Sequence, residues 1–246
     1  MLLIASECLL VITGMFVKYL SDDLPTAQIV FCRNLISLAF IMPLAFRHGL
    51  NGVKTSIFHI HLFRGVIGVT AMFCLYYGWS HLPLAQAALL KQTAPFFMPI
   101  VAAFWLGETT SKRIKFSIIL GFAGVGVILQ PGEGSIEIAL VIALFGAFCG
   151  ATVKVAVRRM SVSESPETIA LYFTIIAALV SAIPGISAWQ PITNEQMILL
   201  GLMAGVSTTA QILLNKAYAL APVGQLGPFT YASVAFAALF GWLLWN

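Results

Sequence analysis

The chain has 246 residues, of which 60% are apolar and 9% charged, with a mean hydropathy of +0.96 and a formal net charge of +4. Average globular chains run about 45–50% apolar and about 25% charged, so this composition excludes an ordinary soluble domain. It also excludes a disordered chain, which needs low hydrophobicity and high charge.

Nine apolar stretches follow one another at roughly 1–20, 25–46, 60–80, 83–106, 114–130, 136–157, 166–188, 196–218 and 222–245. At roughly 20 residues per span they leave only short loops, with no room for a soluble domain. They are continuously apolar rather than alternating, which predicts helices and excludes a transmembrane barrel. Pro25, Pro83, Pro166 and Pro222 mark helix starts, where the missing N–H costs nothing. The expected class is an all-α polytopic membrane protein.

Charge sets the expected orientation. With the N-terminus cytoplasmic, nine of the 13 Lys and Arg residues fall in inside loops and only Lys18 outside. Arg33, Lys91 and Lys154 lie within helices. This bias is a strong positive-inside signal for a multi-pass protein of the cytoplasmic membrane. It also accounts for the basic balance without nucleic acid. The four cysteines, Cys8, Cys32, Cys74 and Cys149, sit in four different stretches and read as buried thiols rather than metal ligands or a redox pair.

An internal repeat is visible. An offset of 141 brings Pro25 onto Pro166, Pro43 onto Pro184 and Cys8 onto Cys149. An offset of 139 brings Thr70-Ala71 onto Thr209-Ala210, Pro83 onto Pro222 and Gln86 onto Gln225. Each unit holds five helices, an odd number, so the second copy enters the membrane inverted, as in many transporters. The units are 1–130 and 131–246. By the repeat, the second would end near residue 270, so nine transmembrane helices of an expected ten are visible. A fragment is favoured over a complete nine-helix chain.

The ionisable groups inside the spans are the best functional pointers, because each costs about 2.5–3.5 kcal/mol at a helix centre. Arg33 and Lys91 each lie about eight residues from an outer helix end, roughly 12 Å deep. Together they predict a cationic shelf for a carboxylate or phosphate, with Arg33 gripping in bidentate fashion and Lys91 acting as a point charge. The plainer alternatives are a structural pair for Arg33 and snorkelling for Lys91. Glu7, a turn or so lower, is a neutralising partner for Arg33 or a carrier of a coupling proton. Lys154 reads as snorkelling to the cytoplasmic interface.

Interior prolines predict kinks and gates: Pro95 and Pro99 in the fourth stretch, Pro228 in the ninth, and Pro43 and Pro184 in the second and seventh. Near them cluster Tyr76, Gln92, Tyr172, Gln211 and Tyr231, the expected lining of a pocket for a small organic molecule. The spacings Gly65-x-x-Gly68, Gly121-x-x-Gly124, Gly146-x-x-x-Gly150 and Gly201-x-x-x-Gly205 read as helix packing within the bundle, with a homodimer left open. No phosphate-binding loop of the Gly-x-x-x-x-Gly-Lys-Ser/Thr type occurs, and His59-Ile60-His61 lacks a third ligand. No cofactor, metal or enzymatic activity is expected.

Several segments carry a family resemblance: Phe31-Cys32-Arg33-Asn34, Arg64-Gly65, Ser80-His81-Leu82-Pro83-Leu84-Ala85, Trp105-Leu106-Gly107-Glu108 and Gly121-Phe122-Ala123-Gly124-Val125-Gly126-Val127. Through them the chain resembles the EamA-like branch of the drug/metabolite transporter superfamily. The nearest look-alikes are bacterial carriers of the S-adenosylmethionine-uptake type. The resemblance implies ten helices in two inverted repeats around a cavity opened alternately to each side. It implies a secondary transporter for a small polar metabolite, here anionic or zwitterionic by the balance of Arg33 and Lys91 against Glu7. A lipid flippase and a non-transporting partner subunit are the alternatives. Lys91-Gln92 departs from the small or hydroxyl residues that the resemblance would place there.

Overall fold

The computed structural model describes residues 1–48, 53–107, 116, 118–124, 138–221, 226 and 229–245. The described chain is helical, and no strand occurs among these residues. The helices are α1 (Leu2–Leu20), α2 (Thr26–Ala45), α3 (Phe58–His81), α4 (Leu84–Lys91), α5 (Ala94–Leu106), α6 (Ile138–Met160), α7 (Pro166–Ser187), α8 (Asn194–Leu220) and α9 (Ala232–Trp245). A one-turn 3-10 helix, Phe46–His48, follows α2, and residues 118–124 are helical as well. Among the described residues, seven helical segments are long and apolar enough to cross a membrane, α4 and α5 together counting as one.

Local signals explain several boundaries. Pro166 sits in the first turn of α7, and the Ser165 side chain accepts the N–H of Thr168. Thr193 and Gln196 close a reciprocal capping box on α8, satisfying two otherwise orphaned donors. Gly107 ends α5 at φ 68°, a left-handed cap that favours glycine. The fourth stretch breaks at Gln92-Thr93, just before Pro95 in the first turn of α5. Pro95 has no N–H to donate back to Lys91, so the helical ladder is interrupted there and α5 restarts with the proline in its first turn. Pro99 lies inside α5. Pro43 and Pro184 were expected to interrupt their helices. Instead α2 and α7 run through them and end a few residues later, at Ala45 and Ser187. Each proline forgoes its own N–H bond to the residue four earlier, and the helix continues only two or three residues past it. Pro228 lies outside the described residues.

Three helix pairs form the bundle: α1 on α8, α2 on α7, and α3 on α6. α3 also packs on α7, and α2 on α8; α4 packs on α6, and α9 on α1. Exchanging α1–α4 for α6–α9 leaves this set of neighbours unchanged. Glycines allow the closest approaches. A Cβ at Gly65 or Gly68 would meet Ile176 or Phe173 of α7, and one at Gly146 would meet Cys74 of α3. Gly124, Gly150 and Gly201 have nothing within 4 Å of that position, so the expected packing role does not extend to them.

Large apolar side chains are exposed all round the bundle, among them Phe104, Ile119, Leu179 and Ile183. Ser6, Gln28, Asn34, Ser37 and Asn215 are buried instead. This inside-out distribution is what a lipid solvent selects, since hydrocarbon offers polar groups no partner. Gln28 illustrates the pairing that results. Its amide donates to the Gln190 carbonyl at 2.8 Å and accepts the Gln190 N–H at 2.9 Å, joining α2 to the segment after α7.

Candidate functional site

A cavity of about 160 Å³ lies at the centre of the bundle, between α1–α4 and α6–α8. At the roughly 30 Å³ a water occupies in the liquid, that is room for about five waters. Four cations line it: Arg33, Arg64, Lys91 and Lys154. No carboxylate does so among the described residues. Thr13, Ser207 and Gln211 supply neutral polar groups, and Leu10, Met72, Leu75, Phe173 and Leu214 supply apolar wall.

Each cation has a different setting. Arg33 is 4% exposed on α2; its Nε donates to Ser207 Oγ at 2.8 Å and its Nη1 to Asn34 Oδ1 at 2.7 Å. Asn34 is held in turn against the Met72 sulfur. Lys91 ends α4 and donates to Glu7 Oε2 at 2.6 Å. Glu7 is fully buried on α1, and Lys154 and Tyr218 lie within its electrostatic reach. Arg64 is 1% exposed on α3 and lies over the Phe173 ring, 4.5 Å from its centroid. None of its three guanidinium nitrogens has a hydrogen-bond partner among the described residues. A cation–π contact satisfies the face of the ring, not the N–H donors of the fork.

The expected shelf is therefore present in altered form. Arg33 and Lys91 share one cavity, but Glu7 pairs with Lys91 rather than Arg33. Lys154, read as snorkelling, is 8% exposed and faces the cavity. Arg64, counted with the inside loops, lies inside α3 and lines the cavity, so the positive-inside count falls by one. Its place four residues into the third stretch was the available signal, since an intramembrane arginine is itself a functional pointer.

The aromatic and amide candidates divide. Tyr76 and Gln211 line the cavity. Gln92 does not; it is buried and donates to the Thr230 carbonyl at 2.7 Å and to Ser233 Oγ. Tyr231 is 43% exposed and lies outside the cavity, in a turn just before α9. Tyr172 is also outside it. Its hydroxyl donates to the Val53 carbonyl at 3.0 Å and its ring lies 4.5 Å from that of His61. Gln92 thus ties the break after α4 to the turn before α9. These two interruptions are 139 residues apart, the same offset that relates Pro83 to Pro222.

The cavity wall shows the same offsets. Thr13 and Lys154 are 141 apart, and Gly68 and Ser207, Met72 and Gln211, and Leu75 and Leu214 are each 139 apart. All eight residues line the cavity.

A helical bundle with seven candidate spans among the described residues, an apolar outer surface and a central cavity lined by four cations defines a multi-pass membrane protein. The chain belongs to the EamA-like transporter family, which matches residues 1–130 and 137–246. It is 31% identical over 235 residues to a pseudopaline exporter of Pseudomonas aeruginosa, a match covering 94% of this chain and 81% of the exporter. A riboflavin transporter of Vibrio cholerae is 27% identical, with 91% of this chain and 76% of that protein covered. An S-adenosylmethionine uptake transporter of Rickettsia bellii is 25% identical, covering 93% of this chain and 79% of that one. A crystal structure at 18% identity covers 97% of this chain and 85% of its own, with a TM-score of 0.69, and shows the shared fold. The chain is a small-molecule membrane transporter.

Proposed function

We propose that this chain is a secondary transporter that moves a small anionic or zwitterionic organic metabolite across the cytoplasmic membrane by alternating access. One observation carries the reading: four cations, three of them buried, line a single central cavity. In a low-dielectric wall such charges are costly unless something negative visits them. The exchangeable set of helix neighbours and the paired cavity wall support two inverted repeats, 1–130 and 131–246, rocking about the cavity. Arg33 and Lys91 are the binding groups carried over from the sequence, with Tyr76 and Gln211 beside them. Glu7, buried against Lys91, is the candidate for a coupling proton. The break before Pro95 is the candidate gate.

The flippase alternative gains little from the second groove, between α1, α2 and α8. It is lined by Leu9, Phe40, Ile198, Leu202 and Val206, and Thr209 is its only polar side chain among the described residues. Such a groove suits an acyl chain and not a headgroup.

The test is uptake into proteoliposomes across a panel of organic anions and amino acids. Arg33→Ala and Lys91→Ala should each abolish transport of the compound found. Full activity in both variants, on every compound, would sink the reading. Labelling of single cysteines placed at Asp22 and Thr55 from each side checks the orientation: the N-terminus-inside topology exposes the first outside and the second inside.

A further inference from the structure

We infer that the carried molecule is a dianion with an apolar middle, one negative group held at Arg33 and the other at Arg64. The inference rests on the carrier reading above and narrows it to a substrate class.

The first ground is the charge balance of the wall. Lys91 is neutralised by Glu7, and Lys154 lies within reach of the same carboxylate. The two guanidiniums are not neutralised. Among the described residues Arg33 meets only the neutral oxygens of Ser207 and Asn34, and Arg64 meets no oxygen at all. A guanidinium offers five donors in a fork that matches carboxylate or phosphate oxygens. Arg64 is buried, lines the cavity and leaves that fork unfilled, so an acceptor from outside the chain is the partner it lacks.

The second ground is spacing. Arg33 is tied through Asn34 to Met72, and Met72 lies eight residues beyond Arg64 on α3. Eight helical residues span about 12 Å. That rise separates the anchor points of the two forks along α3, and a negative group at each end of one molecule answers both. The third ground is what lies between. Met72, Leu75, Leu10 and Ala147 line the same cavity and present hydrocarbon to the middle of the molecule. A zwitterion fits less well, because Glu7 does not line the cavity and holds Lys91.

The probes are straight-chain dicarboxylates from succinate to suberate, each compared with its own monomethyl ester, which has similar length and one charge fewer. Binding to the full chain in detergent is read by melting temperature and intrinsic tryptophan fluorescence, since Trp79 lines the cavity. At one or more lengths the diacid should bind about tenfold tighter than its monoester, the scale of one charge-assisted fork. Arg64→Gln should erase that advantage and leave monoester affinity within about twofold, whereas Arg33→Gln should weaken both. Arg64→Lys keeps the charge without the fork and should retain part of the advantage; its melting curve separates lost binding from lost folding. Equal binding of diacid and monoester at every length, or equal weakening of both by Arg64→Gln, overturns the dianion inference. If monoesters still bind through Arg33 in that case, the anion carrier stands. Absence of binding by diacids, monoesters and amino acids alike, in folded protein, takes down both.

Discussion

The two halves of the bundle agree in packing and differ in chemistry. Each contributes the same set of helix neighbours, and each supplies one member of four residue pairs in the cavity wall. Yet Arg33, Arg64 and Lys91 all come from the first half, and Lys154 alone from the second. Opposite Gly68 stands Ser207, and opposite Met72 stands Gln211. Backbone and apolar contacts thus place the cavity, while charge is distributed without regard to that correspondence. The scaffold answers where a ligand sits, and a few unpaired side chains answer what it is.

The largest effect should come from breaking the charged side of this comparison. Arg33→Ala removes one fork and should lower transport on the order of a hundredfold, the scale of a buried charged contact. Thr174, 141 residues on, bonds only its own helix, through the Ala170 carbonyl. Thr174→Ala should change transport by less than about twofold. Comparable losses in both would refute the unequal division of labour.

Glu7→Gln comes next. It leaves the half-buried Lys91 without its partner and should cost about 1–3 kcal/mol of stability, seen as a lower melting temperature in detergent. Adding Lys91→Met should recover most of the loss, and failure to recover would mean that Glu7 stabilises through something other than the pair.

The packing side is sharpened by two glycines. A Cβ at Gly185 would run into Phe31, so Gly185→Ala should destabilise by about 1–3 kcal/mol. Gly201 has open space at that position, so Gly201→Ala should stay within about 0.5 kcal/mol. Equal melting temperatures for the two variants would show that helix contact does not limit stability here.

Much of the fold was legible because lipid imposes a simple rule. Long apolar runs must be helices, and seven of the nine stretches coincide with described helices to within a few residues, α9 covering the last 14 residues of the ninth and residues 118–124 part of the fifth. The site was legible in part. A charge inside a span announces itself, which is how Arg33, Lys91 and Glu7 were found. Which partner it takes is a tertiary fact. Glu7 and Lys91 are 84 residues apart, and nothing local favours Lys91 over Arg33. Gln92 failed as a cavity residue for the same reason, since its partners Thr230 and Ser233 lie on the far side of the sequence. Arg64 was misjudged because helix ends are the least certain part of any sequence reading, and it sits near one.

The pairing of four wall cations with one carboxylate has an electrical consequence. A membrane voltage acts on every charge fixed in the wall, by about 2.3 kcal/mol per elementary charge for each 100 mV crossed. The empty cavity, with Arg33 and Arg64 unneutralised, is the form that feels this field most. A bound dianion would cancel much of that charge and quieten the response. On the dianion reading, the same two side chains that hold the cargo would also set which half of the proposed transport cycle the cell's voltage hastens or holds back.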